Sequence, residues 1–341
     1  MTSPDIALVS PGTTFGWRHA DAALARHVRE AGASCAVVPV PLGRAAALRR
    51  TMATTDLVEA LAARRAACGV TAGAIVFSTI TAALLQPGRD VPTAVRFDGL
   101  AAVNRPGPGG AWQRRRERTV LAASDLLLPW SEQAAPPGRD ALVLPPPVET
   151  APPAADSPDV LAYAANPDKR GLDVLCAAWE RARSQGASLG IGGLDREQGL
   201  RWLSRQGGAE PEGVRWLGAV ERRRWLELVA GARVFLSAAR IEDWGMAQME
   251  ALAAGTPLVC APAPGGNAAL ALARELAPGL VAPERDAASL GRALAAALAL
   301  DRPEREVYAG RAKELLAPYG DEAVRRRVAE ELLPRLLSRS S

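Results

Sequence analysis

Glu242 and Glu250 stand eight residues apart in the run Arg240-Ile-Glu-Asp-Trp-Gly-Met-Ala-Gln-Met-Glu-Ala-Leu-Ala-Ala-Gly-Thr-Pro-Leu-Val259. The run reads as a strand end, a carboxylate on a loop, a glycine, a helix bearing a second carboxylate, and Gly-Thr-Pro before another strand. Gly245 allows a tight turn and a close approach of backbone to a ligand. The helix start behind it offers N–H groups and a partial positive charge to an anion such as phosphate. A carboxylate repels such an anion, yet each of its two oxygens accepts hydrogen bonds from hydroxyls. Phosphate donors beside hydroxyl acceptors describe a pocket for a nucleotide sugar. Spacing alone favours the plainer reading of two solvated glutamates beside a helix dipole, and the surrounding elements reverse it.

Those elements alternate. In the first half, strands are expected at Ile6–Ser10, Cys35–Val40, Ala74–Ser78, Thr93–Phe97, Asp125–Pro129 and Ala141–Leu144, with helices at Ala20–Ala31, Leu57–Ala67 and Ala111–Ala123. In the second half, strands fit Val160–Tyr163, Ser188–Ile191, Val214–Leu217, Val234–Ser237, Leu258–Cys260 and Gly279–Val281. Helices there fit Gly171–Gln185, Glu197–Gln206, Glu221–Ala230, Gly245–Ala254 and Ala287–Leu298. Such alternation implies parallel sheets covered by helices on both faces. The proline-rich run Leu144–Pro158 reads as an extended, semi-rigid connector. The expectation is an α/β chain of two Rossmann-like parallel-sheet domains facing a central cleft, since open sheets bind ligands outside their carboxyl strand ends. The domains are placed at 1–150 and 151–318, and a final helix at 319–341 is expected to pack back on the first domain.

Bulk properties narrow the classes. A chain of 341 residues exceeds one ordinary core, and 48% hydrophobic with 23% charged residues is a globular composition. No apolar stretch approaches the ~18 residues of a membrane span, and the amino terminus runs into a strand without a signal-like segment. A soluble, cytoplasmic protein is expected. Cys35, Cys68, Cys176 and Cys260 are isolated in apolar settings and read as buried free thiols. With only His19 and His27 to help, no metal site is expected. No GxSxG turn supports a serine hydrolase. All but two of the 41 basic residues are arginine, a bias that with the abundant alanine reads as a GC-rich bacterial genome. The cluster Arg114-Arg115-Arg116-Glu117-Arg118 fits a solvated helix face or peripheral contact with an anionic membrane. Nucleic-acid binding is not expected, because few aromatics interleave with the basic residues.

At these residues the chain resembles the GT-B glycosyltransferases of the family 4 type, retaining enzymes that use nucleotide-sugar donors. Glu242 to Glu250, with Ala-Leu-Ala-Ala-Gly-Thr-Pro257, is similar to the family's EX7E run and its sequel. Asn166-Pro-Asp-Lys-Arg-Gly-Leu-Asp-Val-Leu175 resembles the basic, glycine-containing phosphate loop. Val214-Arg-Trp-Leu-Gly-Ala-Val220 is similar to the strand and turn over the nucleotide base. The first half matches more loosely, through Pro11-Gly-Thr-Thr-Phe-Gly-Trp-Arg-His19.

The resemblance implies roles by position. Glu250 would accept from ribose hydroxyls, and Glu242 would hold a hydroxyl of the donor sugar. The N–H groups of Gly245 and Met246 would face the diphosphate or sugar, with Trp244 beside them. Lys169 and Arg170 would neutralise the departing diphosphate, an electrostatic contribution to catalysis; by themselves the two residues fit an exposed loop equally. Gly218 and Val220 would lie at the base. In the first domain, Gly12 and Gly16 would let a loop approach the ligands. Trp17 fits ring stacking or packing, and His19 fits a helix-start hydrogen bond or a cleft position. Asp98 and Arg96 would stand on the acceptor side, where family members often present a histidine, or would pair with each other. Other departures are Ala238-Ala239 in place of Pro-Ser, no arginine at Ala164-Ala165, and no acidic residue in Pro264-Gly-Gly-Asn-Ala268.

The expected activity is therefore metal-independent transfer of a sugar from a nucleotide diphosphate, with UDP-sugar favoured, to an unidentified acceptor that is a small molecule, a glycan or lipid-linked. No further cofactor is expected. Front-face substitution, in which the leaving phosphate helps remove the acceptor proton, is what the family implies. The alternatives are a GT-B-shaped nucleotide-sugar epimerase, poorly supplied here with acid and base residues, and a non-catalytic sugar-nucleotide-binding module.

Overall fold

The computed structural model describes residues 3–49 and 51–338. By contacts the chain divides into two compact units, one within Met1–Pro147 plus Asp321–Ser341 and the other Val148–Gly320.

The first unit holds a parallel sheet of β1 (Ile6–Ser10), β2 (Cys35–Pro39), β3 (Ala74–Phe77), β4 (Thr93–Phe97) and β5 (Leu126–Pro129), in the order β2-β1-β3-β4-β5. β1, β3 and β5 read Ile-Ala-Leu-Val-Ser, Ala-Ile-Val-Phe and Leu-Leu-Leu-Pro and are buried throughout. Continuous apolar runs of this kind suit strands with helices over both faces. The segment Asp321–Leu337 covers one of those faces. Val324, Val328, Leu332 and Leu336 share a core with Ile6, Leu8, Leu24 and Val76. His27 Nε2 lies 2.8 Å from Asp321 Oδ1, and Arg26 donates to the same carboxylate at 2.6 and 3.1 Å. The hydrogen-bonded Arg26, against the opposing effect of burial, holds the Asp321 carboxyl down at about 2.

The second unit repeats the plan with β6 (Val160–Tyr163), β7 (Leu189–Gly192), β8 (Val214–Gly218), β9 (Val234–Leu236) and β10 (Leu258–Val259), ordered β10-β9-β6-β7-β8 and parallel. From β6 the chain steps to β7 and β8 on one side, then crosses to β9 and β10 on the other. The loops leaving β6 and β9 therefore flank the point where strand order reverses, which is where an open sheet accepts a ligand.

Several expected elements are revised. Ala141–Leu144 is no strand but a single bridge, Leu127 to Ala141. Gly279–Val281 becomes a 3-10 turn at Pro278–Leu280 and a bridge from Cys260 to Val281. The closing helix is broken by a π segment at Val328–Leu332. The first helix starts earlier, at Phe15, because the Thr14 hydroxyl accepts from Trp17 N at 3.3 Å. Gly16 is thus helical and not part of a loop, and His19 sits in the second turn instead of at the helix start. Cys35, Cys176 and Cys260 are buried, whereas Cys68, at a helix end, is exposed. Helices at Ala268–Leu276 and Arg302–Leu316 complete the second unit.

Candidate functional site

The loops after β6 and β9 are joined by backbone and by one arginine. Arg240 N donates to Lys169 O at 2.8 Å, and its guanidinium reaches Asp168 O at 2.7 Å and both oxygens of Asp173 at 2.9 and 2.7 Å. Each loop ends in a left-handed glycine that opens a helix without a side-chain cap. These are Gly171 (φ +62) before Leu172–Ala182 and Gly245 (φ +79) before Met246–Ala253. A Cβ on Gly171 would stand 2.2 Å from Ala238 O, so only glycine lets the loops approach this closely. Met246 is the first residue of the second helix. Two helix starts without side-chain caps thus follow the loops after β6 and β9, and the positive dipole end of such a start suits an anion, although Leu172 N itself donates to Pro167 O at 3.0 Å.

Glu242 is buried on the β9 loop and held from both directions. Its backbone N donates to Pro264 O at 2.9 Å, and its carbonyl accepts from Asn267 N at 3.2 Å. A Cβ on Gly265 (φ +126) would fall 1.9 Å from that carbonyl. This explains the paired glycines of Pro264-Gly-Gly-Asn, where Asn267 caps the next helix instead of presenting an acid. The Glu242 carboxylate takes a short hydrogen bond from Arg170 Nη1 and a second from Gln248 Nε2 at 3.3 Å. Gln248 also donates to Ser237 Oγ at 2.8 Å. Lys169 is partly exposed, its Nζ 3.7 Å from Asp243 Oδ2. The basic pair thus meets the acidic pair Glu242-Asp243 residue for residue.

Glu250 lies inside the helix and is 1% exposed. Arg222 Nη1 donates to its Oε1, and Trp225 Nε1 donates to its Oε2 at 2.8 Å. Arg222 also pairs with Glu149 at 3.4 Å. Burial raises the Glu250 carboxyl above its ordinary value, and Arg222, then Trp225, work against that rise. The two glutamates are linked through aromatics: Arg170 lies 5.8 Å over the Tyr163 ring, and Tyr163 packs edge-on against Trp225 at 5.5 Å. Arg222, Trp225, Gln248, Tyr163 and Arg240 were not singled out in the sequence. The helix register Arg222-x-x-Trp225 beside the expected base loop was the available signal.

At the end of β8, Gly218 (φ +63) accepts through its carbonyl from Gly193 N at 2.7 Å. Val220 lines a cavity of about 310 Å³ with Arg215, Leu217, Ala219, Glu221, Arg224 and Leu228. Trp244, expected beside the donor, is buried against Tyr319 with ring centroids 5.7 Å apart.

In the first unit, Gly12 (φ +54) turns the chain after β1, and Arg18 donates to its carbonyl at 2.9 Å. Arg96 is 1% exposed and donates through Nη1 to Asp21 Oδ1 at 2.9 Å, while Ser10 Oγ donates to Oδ2 of that carboxylate at 2.5 Å. Burial raises the Asp21 carboxyl and lowers the Arg96 guanidinium, each opposed by the other's charge. The Arg96 guanidinium also lies 5.7 Å over Trp130, whose ring centroid is 4.2 Å from that of Trp17. Trp17 and Arg96 therefore belong to one cluster, whose acidic member Asp21 went unnoticed in the sequence. Asp98 is half-buried directly after β4, and His19 is half-buried on its helix.

The arginine cluster is only partly free. Arg114 and Arg116 bond the carbonyls of Arg105 and Leu84, the latter at 2.9 and 2.7 Å, while Arg115 and Arg118 are exposed. Glu117 is buried, accepts from Ala101 N at 3.0 and 2.8 Å, and is raised by desolvation to about 7. No helix among the described residues is long and apolar enough to cross a membrane.

Residues 158–299 match the family described as Glycosyl transferases group 1. Sucrose-phosphate synthase from Thermosynechococcus elongatus superposes over 100% of both chains with a TM-score of 0.75 at 17% identity. Anabaena Alr3699/HepE, in complex with UDP and glucose, covers 96% of this chain and 98% of its own with a TM-score of 0.67 at 15% identity. WaaG, a glycosyltransferase involved in lipopolysaccharide biosynthesis, covers 95% and 98% with a TM-score of 0.69 at 15% identity. No curated protein matches the chain in sequence.

Proposed function

We propose that the protein, whose residues 158–299 match the Glycosyl transferases group 1 family and whose fold is that of GT-B enzymes, is a glycosyltransferase that moves a sugar from a nucleotide diphosphate to an acceptor hydroxyl with retention, by front-face substitution and without a metal. The observation that carries this reading is the pairing of Glu242 with Arg170 on two loops that each lead into an uncapped helix start. Arg170 and Lys169 supply positive charge for the departing diphosphate, with the N–H groups of Gly245 and Met246 as further donors. Glu242 accepts from a hydroxyl of the donor sugar. Glu250, with lone pairs left after Arg222 and Trp225, accepts from the ribose. Gly218 and Val220 border the base.

UDP-sugar is the donor placed first, UDP being the nucleotide held by the Anabaena protein of the same fold. The leaving phosphate takes the acceptor proton, so no protein nucleophile is required. The first unit is assigned the acceptor, with Trp17, His19, Arg96 and Asp98 as its residues and Arg96 acting from a buried position. The test is release of nucleotide diphosphate from UDP-, GDP- and ADP-sugars over a panel of acceptors, with the anomeric configuration of the product read by NMR. An inverted product rejects front-face substitution. Tight nucleotide binding without release or transfer assigns the chain to the non-catalytic reading.

A further inference from the structure

Tyr163 ends β6, the central strand of the second sheet, and its ring stands in the middle of a row that joins the two glutamates. Arg170, which bonds Glu242, lies 5.8 Å over the ring. Trp225, which bonds Glu250, packs edge-on against it at 5.5 Å. The ladder sets Tyr163 beside Gly192, the last residue of β7, and a Cβ on Gly193 (φ +84) would fall 2.8 Å from Tyr163 Cε2. Cε2 adjoins the carbon that bears the hydroxyl. The phenol end of the ring is therefore level with the chain just beyond the strand ends, where an open sheet takes its ligands. These neighbours fix the ring, yet the side chain is half-buried and no hydrogen bond among the described residues engages its hydroxyl. Burial raises the phenol above its ordinary value, Arg170 opposes that rise and Glu250 adds to it, so both charges act on the one oxygen.

We infer that the Tyr163 hydroxyl donates a hydrogen bond to the diphosphate of the bound donor nucleotide. The inference rests on the roles proposed above for Glu242 and Glu250. In a nucleotide sugar the diphosphate joins the sugar to the ribose, and Tyr163 stands between the carboxylate given to the sugar and the one given to the ribose. A protonated phenol offers phosphate an O–H without a charge of its own, next to the Arg170 guanidinium that supplies the charge. Hydrogen bonds to an ionised oxygen are the stronger kind. A ring already held by Trp225, Arg170 and Gly193 loses little freedom in making one.

The experiment is titration calorimetry of the full chain with UDP, GDP and ADP, joined to melting curves with and without uridine, guanosine and adenosine. Tyr163→Phe keeps the ring, its packing on Trp225 and the Arg170 contact, and removes only the hydroxyl. The variant should melt as the wild type does when free of ligand. Its Kd for the nucleoside diphosphate should rise by about tenfold, while the matching nucleoside at equal concentration shifts the melting of both proteins alike. Three results overturn the inference alone: diphosphate binding that Tyr163→Phe leaves unchanged, a free variant that melts lower than the wild type, or an equal loss for nucleoside and diphosphate. A wild type that binds none of the three nucleotides overturns the proposed function, and the inference with it.

Discussion

Trp225 donates its indole N–H to Oε2 of Glu250 at 2.8 Å, from a side chain that also packs against Tyr163 and Phe235. With Arg222 on Oε1, each oxygen of this buried carboxylate has one fixed donor and lone pairs to spare. Glu250 is thereby oriented from the helix Arg222–Gly231, which begins just after the expected base loop. The acceptor role proposed for Glu250 therefore depends on residues outside the EX7E run.

Arg222→Ala removes the main cation opposing the effect of burial on Glu250, so the carboxyl rises further. The expected outcome at neutral pH is about a tenfold higher donor KM, which falls back as pH is raised and Glu250 ionises. The variant should lose about 3 kcal/mol of stability, more at high pH than at low, because a raised carboxyl is stabilising only while protonated. A pH profile of KM parallel to that of the wild type would show that Arg222 merely packs.

Arg170→Ala should cost more than Lys169→Ala. Arg170 bonds Glu242 directly and lies over Tyr163, whereas Lys169 is partly exposed and 3.7 Å from Asp243. Loss of a charge that stabilises a leaving group costs about 10²-fold in kcat, expected for Arg170→Ala, with a smaller loss for Lys169→Ala. Steady-state kinetics with saturating donor separates the two.

Glu117 gives a pH signature in the first unit. Its carboxyl is raised from 4.5 to about 7, so the folded protein holds a proton that the unfolded chain releases. Stability from this group is present below pH 4.5 and lost as pH climbs through about 7. Glu117→Gln should flatten that decline in urea melts across this window. An unchanged slope would place the titrating group elsewhere.

The alternation of strands and helices was legible because buried parallel strands read as apolar runs, as β1, β3 and β5 do. Ala141–Leu144 and Gly279–Val281 carry the same composition but sit beside Pro145 and Pro278, and each reduces to a single bridge. The helix Arg302–Leu316 was not expected, although Asp301 and Glu304, which form a reciprocal cap at 2.8 Å in both directions, carried its signal. Glu242 and Glu250 stood out by local spacing, and Lys169 and Arg170 by the resemblance of their loop to a family motif. Their partners did not: Arg222 is 28 residues from Glu250 and Arg96 is 75 from Asp21, separations only the fold closes. His19 and Gly16 were misplaced because a threonine cap, not the apolar pattern, sets where their helix begins.

The most direct test of the donor site is a thermal-shift titration with UDP, GDP, ADP and their sugars on the wild type, Glu250→Ala and Glu250→Gln. A ligand that binds only the native state raises the melting temperature with concentration. The account expects at least one nucleotide, UDP first, to do so for the wild type, with the shift abolished in Glu250→Ala and reduced in Glu250→Gln. A wild type that none of the nucleotides stabilises, or a folded Glu250→Ala that responds as the wild type does, would contradict it.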